Sequence, residues 1–218
     1  MDIGANVGLI SAPLALAIRS GTSSRPCVVA IEALPDNCTA LRKNIVLNSL
    51  EDCVSIHELA LGDVTRDALI NVEGDLERGE GSGTASIDPD GWTESRVLQT
   101  VHVVTMDALW EEGRLPPGCH VIKLDTDGYD LKIMRGSREF LSFHRPVIFG
   151  EFHAECEGWH GHGLKDVITF AAGGNYVVWQ RLAKSFFFSS TISPDDYVQD
   201  LLLVPRETVA AMRWCMRD

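Results

Sequence analysis

The chain has 218 residues, 45% of them hydrophobic, enough to bury one core as a single domain over residues 1–218. Its net charge is −12, and Gly62 to Val97 carries nine acidic residues against three basic, so a nucleic-acid partner is excluded by repulsion. No apolar run reaches the ~18 residues of a membrane span.

The chain opens on Asp2-Ile3-Gly4-Ala5-Asn6-Val7-Gly8, which reads as the end of a first strand and a glycine-rich turn. A helical pattern follows from Leu9 to Arg19, with Gly21 as its stop. Pro13 falls just past the first helical turn, where a backbone donor is lost. Val28–Ile31 reads as a buried strand, and Pro35 opens a helix with Cys38, Leu41 and Ile45 on one face and Asn48 near its end. Val54–Leu61 reads as the next strand. Asp63–Thr100 then breaks the rhythm with Gly, Asp and Glu, and reads as an inserted hairpin with a mobile tip at Gly79–Gly83 and Trp92 in a lid.

The rhythm resumes with a strand at Val121–Leu124, a helix at Tyr129–Phe140, a strand at Pro146–Phe149 and a helix at Leu164–Ala172. Two strands, Tyr176–Trp179 and Asp200–Val204, finish it. This alternation predicts an α/β fold: a mostly parallel central sheet, helices on both faces and the inserted β-hairpin between strands 3 and 4. The start at Met1-Asp2-Ile3-Gly4 lacks the basic stretch of a signal peptide. Six cysteines with no C-x-x-C pair argue against structural zinc or a disulfide framework and fit a cytoplasmic protein.

The glycine turn carries the chemistry. Glycines between a first strand and a first helix let a ligand approach the backbone beside the helix N-terminus. The spacing is G-x-x-x-G after an acid, not G-x-G-x-x-G, and no G-K-[ST] marks a phosphate grip. A preceding acid suits a ligand with an ammonium group, which points to S-adenosylmethionine rather than NAD. Glu32 ends the second strand, where an acid accepts ribose hydroxyls, and Ala33-Leu34 can pack on adenine. At the end of the fourth strand of the main sheet, Asp125 and Asp127 stand two residues apart, facing the crevice where ligands bind in such sheets.

Methyl transfer from such a cofactor needs a base within hydrogen-bond reach to take the acceptor's proton. Asp125, Asp127, Glu151 and His153 are the candidates, with His153 or Asp127 as the base. The same four residues also fit a divalent ion orienting a diol, although no metal is required. His160-Gly161-His162-Gly163 reads as a flexible loop rather than a metal motif, and Phe186–Phe188 as a strand that lines a substrate pocket or a homodimer contact.

Together D-I-G-A-N-V-G, I-E-A-L-P-D-N, A-L-G-D at 60–63, V-T-M-D-A-L at 104–109 and I-K-L-D-T-D-G-Y-D resemble the FkbM family of methyltransferases, from the first residues to about Glu151. The resemblance implies a seven-stranded, Rossmann-like class I methyltransferase fold and methylation of hydroxyls on sugars, polyketides and related metabolites. It implies that Asp2, Gly4, Ala5, Asn6, Gly8, Glu32 and Ala33 hold the cofactor, with Ala60 beside the adenine and Asp125 near the methionine end. The chain departs from the pattern at Asp127, where the family has Glu. Only Met1 precedes the acid of strand 1, so that strand reads as truncated and the helical segment upstream as missing. Two other readings follow: a truncated Rossmann-like domain that is not an enzyme, and an N-methyltransferase. Against the latter, D-T-D-G stands where base methylation needs [DN]-P-P-[YF].

Overall fold

The computed structural model describes residues 1–21, 28–72, 85–87, 97–153, 160–182, 187–192 and 198–216. In chain order, β1 (Asp2–Ile3) leads to α1 (Ser11–Gly21), β2 (Val28–Glu32) to α2 (Pro35–Leu47), and then comes β3 (Val54–Glu58). Next are β4 (Ala60–Leu61), β5 (Arg66–Val72), β6 (Ala85–Ile87) and β7 (Val97–Val104). α3 (Met106–Glu111), β8 (Val121–Leu124), α4 (Asp130–Arg135), α5 (Arg138–His144) and β9 (Val147–His153) follow. α6 (Leu164–Gly173), β10 (Tyr176–Arg181), β11 (Phe188–Ser189), β12 (Val198–Pro205) and α7 (Val209–Met212) complete the order.

The main sheet has eight strands in the order β11-β10-β12-β9-β8-β1-β2-β3. β9, β8, β1, β2 and β3 run parallel, and β10, β11 and β12 join antiparallel. The strand beyond the expected seven is the two-residue edge β11. Alternation along β2 shows why both faces carry helices. Val28 and Ala30 pack with Ala12, Ala15, Leu41 and Ile45 under α1 and α2. Val29 and Ile31 face the larger core, built with Leu131, Phe140 and Val167 from α4, α5 and α6. Each such large apolar side chain contributes roughly 1.5–3 kcal/mol when fully buried. Among the described residues, no helix is long and apolar enough to cross a membrane.

Four local expectations change. The run Val54–Leu61 divides at Leu59, whose N–H donates to the Glu32 carbonyl (3.0 Å); β3 stays in the main sheet and β4 enters a second one. That sheet, in the order β4-β7-β5-β6, replaces the simple hairpin: β5 pairs with both β6 and β7, burying Ala68 and Ile70 while Leu69 is exposed. Gly79–Gly83 and Trp92 lie outside the described residues. The helix expected at Tyr129–Phe140 is two helices broken at Gly136, where a Cβ would overlap the Gly62 carbonyl. Asp107 then caps α5 by accepting from Glu139 N (3.2 Å) and Phe140 N (2.8 Å). Pro13 is the third residue of α1, inside the first turn, where a missing N–H costs little.

Candidate functional site

The crevice opens at the carboxyl ends of β1, β2 and β8, where the sheet order switches direction. Gly4 N and Ala5 N both donate to the Ile31 carbonyl (3.0 Å each), and Gly8 N to the Ala5 carbonyl (2.9 Å). Gly4 takes φ 74°, and the Asp125 carbonyl occupies the place its Cβ would need. Gly8 takes φ 90° with Leu41 Cδ1 2.5 Å from its would-be Cβ, so it serves packing against α2. Asn6 lies between them at φ 50°, a conformation Asn tolerates better than most residues.

Glu32 is buried, and its carboxylate holds the turn from the neighbouring strand. Oε2 accepts from Asn6 N (2.8 Å); Oε1 accepts from Leu34 N (2.9 Å) and Asn37 Nδ2 (3.2 Å). A carboxylate has about four acceptor positions, so one on Oε2 is left for a ligand hydroxyl. Two ribose hydroxyls would have to share it. Behind the acid, Cys38 Sγ donates to the Glu32 carbonyl (3.3 Å). Burial, then the charges of Glu32 and Glu58, push that thiol up to about 12.

On the other side of β1, the turn after β8 is held by a buried side chain. Asp130 Oδ1 accepts from Thr126 N (3.1 Å) and Thr126 Oγ1 (2.7 Å), and Oδ2 from Gly128 N (3.2 Å). Asp127 and Gly128 sit at φ 51° and 92°. Lys123 reaches from mid-strand to the Gly4 carbonyl (2.8 Å), Asp125 Oδ2 (3.1 Å) and Asp2 Oδ1 (3.4 Å). Asp2 also accepts from Ser11 Oγ (2.6 Å).

These pieces surround a cavity of about 630 Å³, within the range of small-molecule sites. Of the residues expected from the sequence, Gly4, Ala5, Asn6, Glu32, Ala33, Ala60, Asp125, Asp127 and Glu151 line it. Leu59, Leu61, Ile70 and Ile87 add an apolar wall, partly from the second sheet. Asp2 and Gly8 do not line it: Asp2 is buried behind the turn, engaged by Ser11 and Lys123, rather than facing a ligand ammonium. His153 ends β9, with its side chain outside the described residues. Among those described, no three His, Cys, Asp or Glu side chains gather as a metal site. His160 meets the edge of Tyr129 (5.1 Å between ring centroids) and stacks on His162 (6.2 Å). Phe188 pairs at the sheet edge, and Phe186 lies outside the described residues.

Lys123, Asn37, Tyr129 and Asp130 are the residues that motif reading passed over. A lysine inside the apolar strand Val121–Leu124 is the available signal, since an ammonium there needs dedicated partners.

The chain matches the Methyltransferase FkbM domain over residues 2–177. No curated protein matches it. Among solved structures it is similar to a methyltransferase FkbM from Methylobacillus flagellatus KT, at 17% identity and a TM-score of 0.56. That match covers 93% of this chain and 42% of the other, so this chain spans less than half the length of that protein; the likeness is one of fold. It also matches an O-methyltransferase from Bacillus cereus in complex with SAH (16% identity, 93% and 72% coverage, TM-score 0.45).

Proposed function

The chain belongs to the FkbM methyltransferase domain family, and from that premise we propose that it moves a methyl group from S-adenosylmethionine to a hydroxyl of a sugar, polyketide or other small metabolite. The observation that carries the reading is one continuous cavity joining Glu32 to Asp125 beneath the glycine turn. Its residues fit the cofactor end to end. The open position on Glu32 Oε2 takes a ribose hydroxyl, Ala33, Leu59, Ala60 and Leu61 pack on the base, and Asp125 attracts the methionine ammonium. When bound, the cofactor supplies an activated methyl group on a sulfonium.

The protein then has two tasks: to hold the acceptor oxygen in line and to take its proton. Asp127 and Glu151 both line the cavity, and with His153 they are the candidate bases. Asp125 is better suited to binding, because Lys123 already engages its carboxylate. In this reading residues 1–218 act as one domain, with Ile70 and Ile87 of the second sheet contributing to the cavity wall.

Calorimetric binding of S-adenosylmethionine and S-adenosylhomocysteine tests the proposal. Dissociation constants in the micromolar range, on the order of −8 kcal/mol, and their loss in Glu32→Ala are the expected result. A folded wild-type chain that binds neither would overturn it in favour of a Rossmann-like domain that is not an enzyme. Turnover of hydroxylated acceptors that survives chelator excludes the divalent-ion variant of the mechanism.

A further inference from the structure

We propose that Lys123 is a positioning residue of this site: its ammonium clasps the glycine turn, the acid of β1 and the acid that follows β8 into one unit. The inference rests on the cofactor reading above.

Three features of the structure lead to it. First, β8 is a central strand, and the Lys123 side chain is 18% exposed, so its charge is largely desolvated and must be compensated. Second, an ammonium has three donor directions, and three oxygens surround this one. They are the Gly4 carbonyl at 2.8 Å, Asp125 Oδ2 at 3.1 Å and Asp2 Oδ1 at 3.4 Å. Third, those oxygens come from two segments far apart in sequence, Asp2–Gly4 and Asp125. Asp2 Oδ1 is buried without a hydrogen-bond partner among the described residues, so the nearby ammonium is the charge that balances it.

The consequence is electrostatic as well as mechanical. Asp2, Lys123 and Asp125 together carry a formal charge of −1 (two carboxylates, one ammonium). Without the lysine, two carboxylates would face each other across the Gly4 carbonyl. Asp125 would swing toward solvent, and the carbonyl would lose its only side-chain anchor among the described residues. A site held this way responds to the charge at the cofactor sulfur, because S-adenosylmethionine carries a positive sulfonium where S-adenosylhomocysteine has a neutral thioether. General loosening of the fold would weaken both ligands alike.

The test is calorimetric titration of the wild type, Lys123→Met, Lys123→Arg and Asp125→Asn with both ligands, each variant checked for folding by thermal unfolding. Lys123→Met is expected to weaken S-adenosylhomocysteine roughly tenfold, the effect of losing about 1.4 kcal/mol. Because the site becomes more negative, the S-adenosylmethionine preference should rise by roughly threefold or more. Asp125→Asn should move that preference the opposite way. Lys123→Arg keeps the charge but replaces a compact ammonium with a planar fork, so it should retain the wild-type ratio at reduced affinity. If Lys123→Met does not fold, the Arg and Asn variants carry the test. Wild-type binding with ratios unchanged across the variants would overturn the role of Lys123 and leave the cofactor reading standing. Absence of binding by the folded wild type would overturn both.

Discussion

The two turns that flank β1 do similar work by opposite means. Gly4–Gly8 is shaped by what is missing: the Asp125 carbonyl and Leu41 fill the space that side chains at Gly4 and Gly8 would take. Thr126–Asp130 is shaped by what is present, a fully buried carboxylate that accepts from Thr126 and Gly128. The first turn sets the backbone of Gly4, Ala5 and Asn6 along the cavity; the second presents Asp125 and Asp127 at its edge. A turn made by absence leaves a spaced glycine pattern in the sequence. A turn made by one buried acid leaves only another acid among several.

The largest effect should come from adding a single methyl to the first turn. Gly4→Ala meets both a positive φ and a backbone carbonyl, and should cost about 3 kcal/mol or more in urea unfolding. Wild-type stability in that variant would show that the turn is not closed against Asp125. Next, Asp130→Ala strands three donors and should cost roughly 2–3 kcal/mol, with Asn recovering part of it. Equal costs for Ala and Asn would mean that charge, not acceptance, holds the second turn.

Asp127→Gly sharpens the contrast by separating stability from chemistry. Glycine accepts φ 51° freely, so stability should stay within about 1 kcal/mol, while turnover falls if Asp127 is the base. The smallest effect lies at the far end of the sheet, where Arg145 at φ 51° binds Glu207 (2.7 and 3.1 Å) and the carbonyls of Gly174 and Asn175. The hydrogen bond from Arg145 lowers the Glu207 carboxyl to about 2. Its stabilisation is therefore present above the ordinary carboxylate range and fades as pH falls from about 4.5 toward 2. A melting difference between wild type and Glu207→Gln at pH 6 that persists unchanged at pH 2.5 would contradict this, and the difference itself should be small because the pair is exposed.

Legibility in the sequence followed the same division. β8 is the four residues that periodicity marks, and α2 begins at its proline, because a buried strand and a Pro start are local signals. The transfer of the chain between sheets at Leu59 is not local. Val54–Leu61 reads as one strand, and only pairing with residues 97–104 draws Ala60 and Leu61 away. The Gly136 break likewise depends on how close Gly62 approaches. Within the candidate site, spacing marked Glu32 and the turn, which line the cavity, but not the orientation of the acids. Asp2 and Asp130 look as available for chemistry as Asp125 and Asp127, yet both are consumed by neighbouring donors.

The thiol behind Glu32 has a further consequence. Cys38, Cys53, Cys119 and Cys215 are all buried, and burial pushes the Cys119 thiol up as it does that of Cys38. Alkylation requires thiolate and access, so these buried sulfurs stay silent while the fold is closed, Cys38 and Cys119 on both counts. Their rate of modification becomes a clock for opening events: Cys38 times the release of the strand that carries Glu32, and Cys215 times fraying at the other end of the sheet. A ligand gripping Glu32 should slow the first clock and leave the second unchanged.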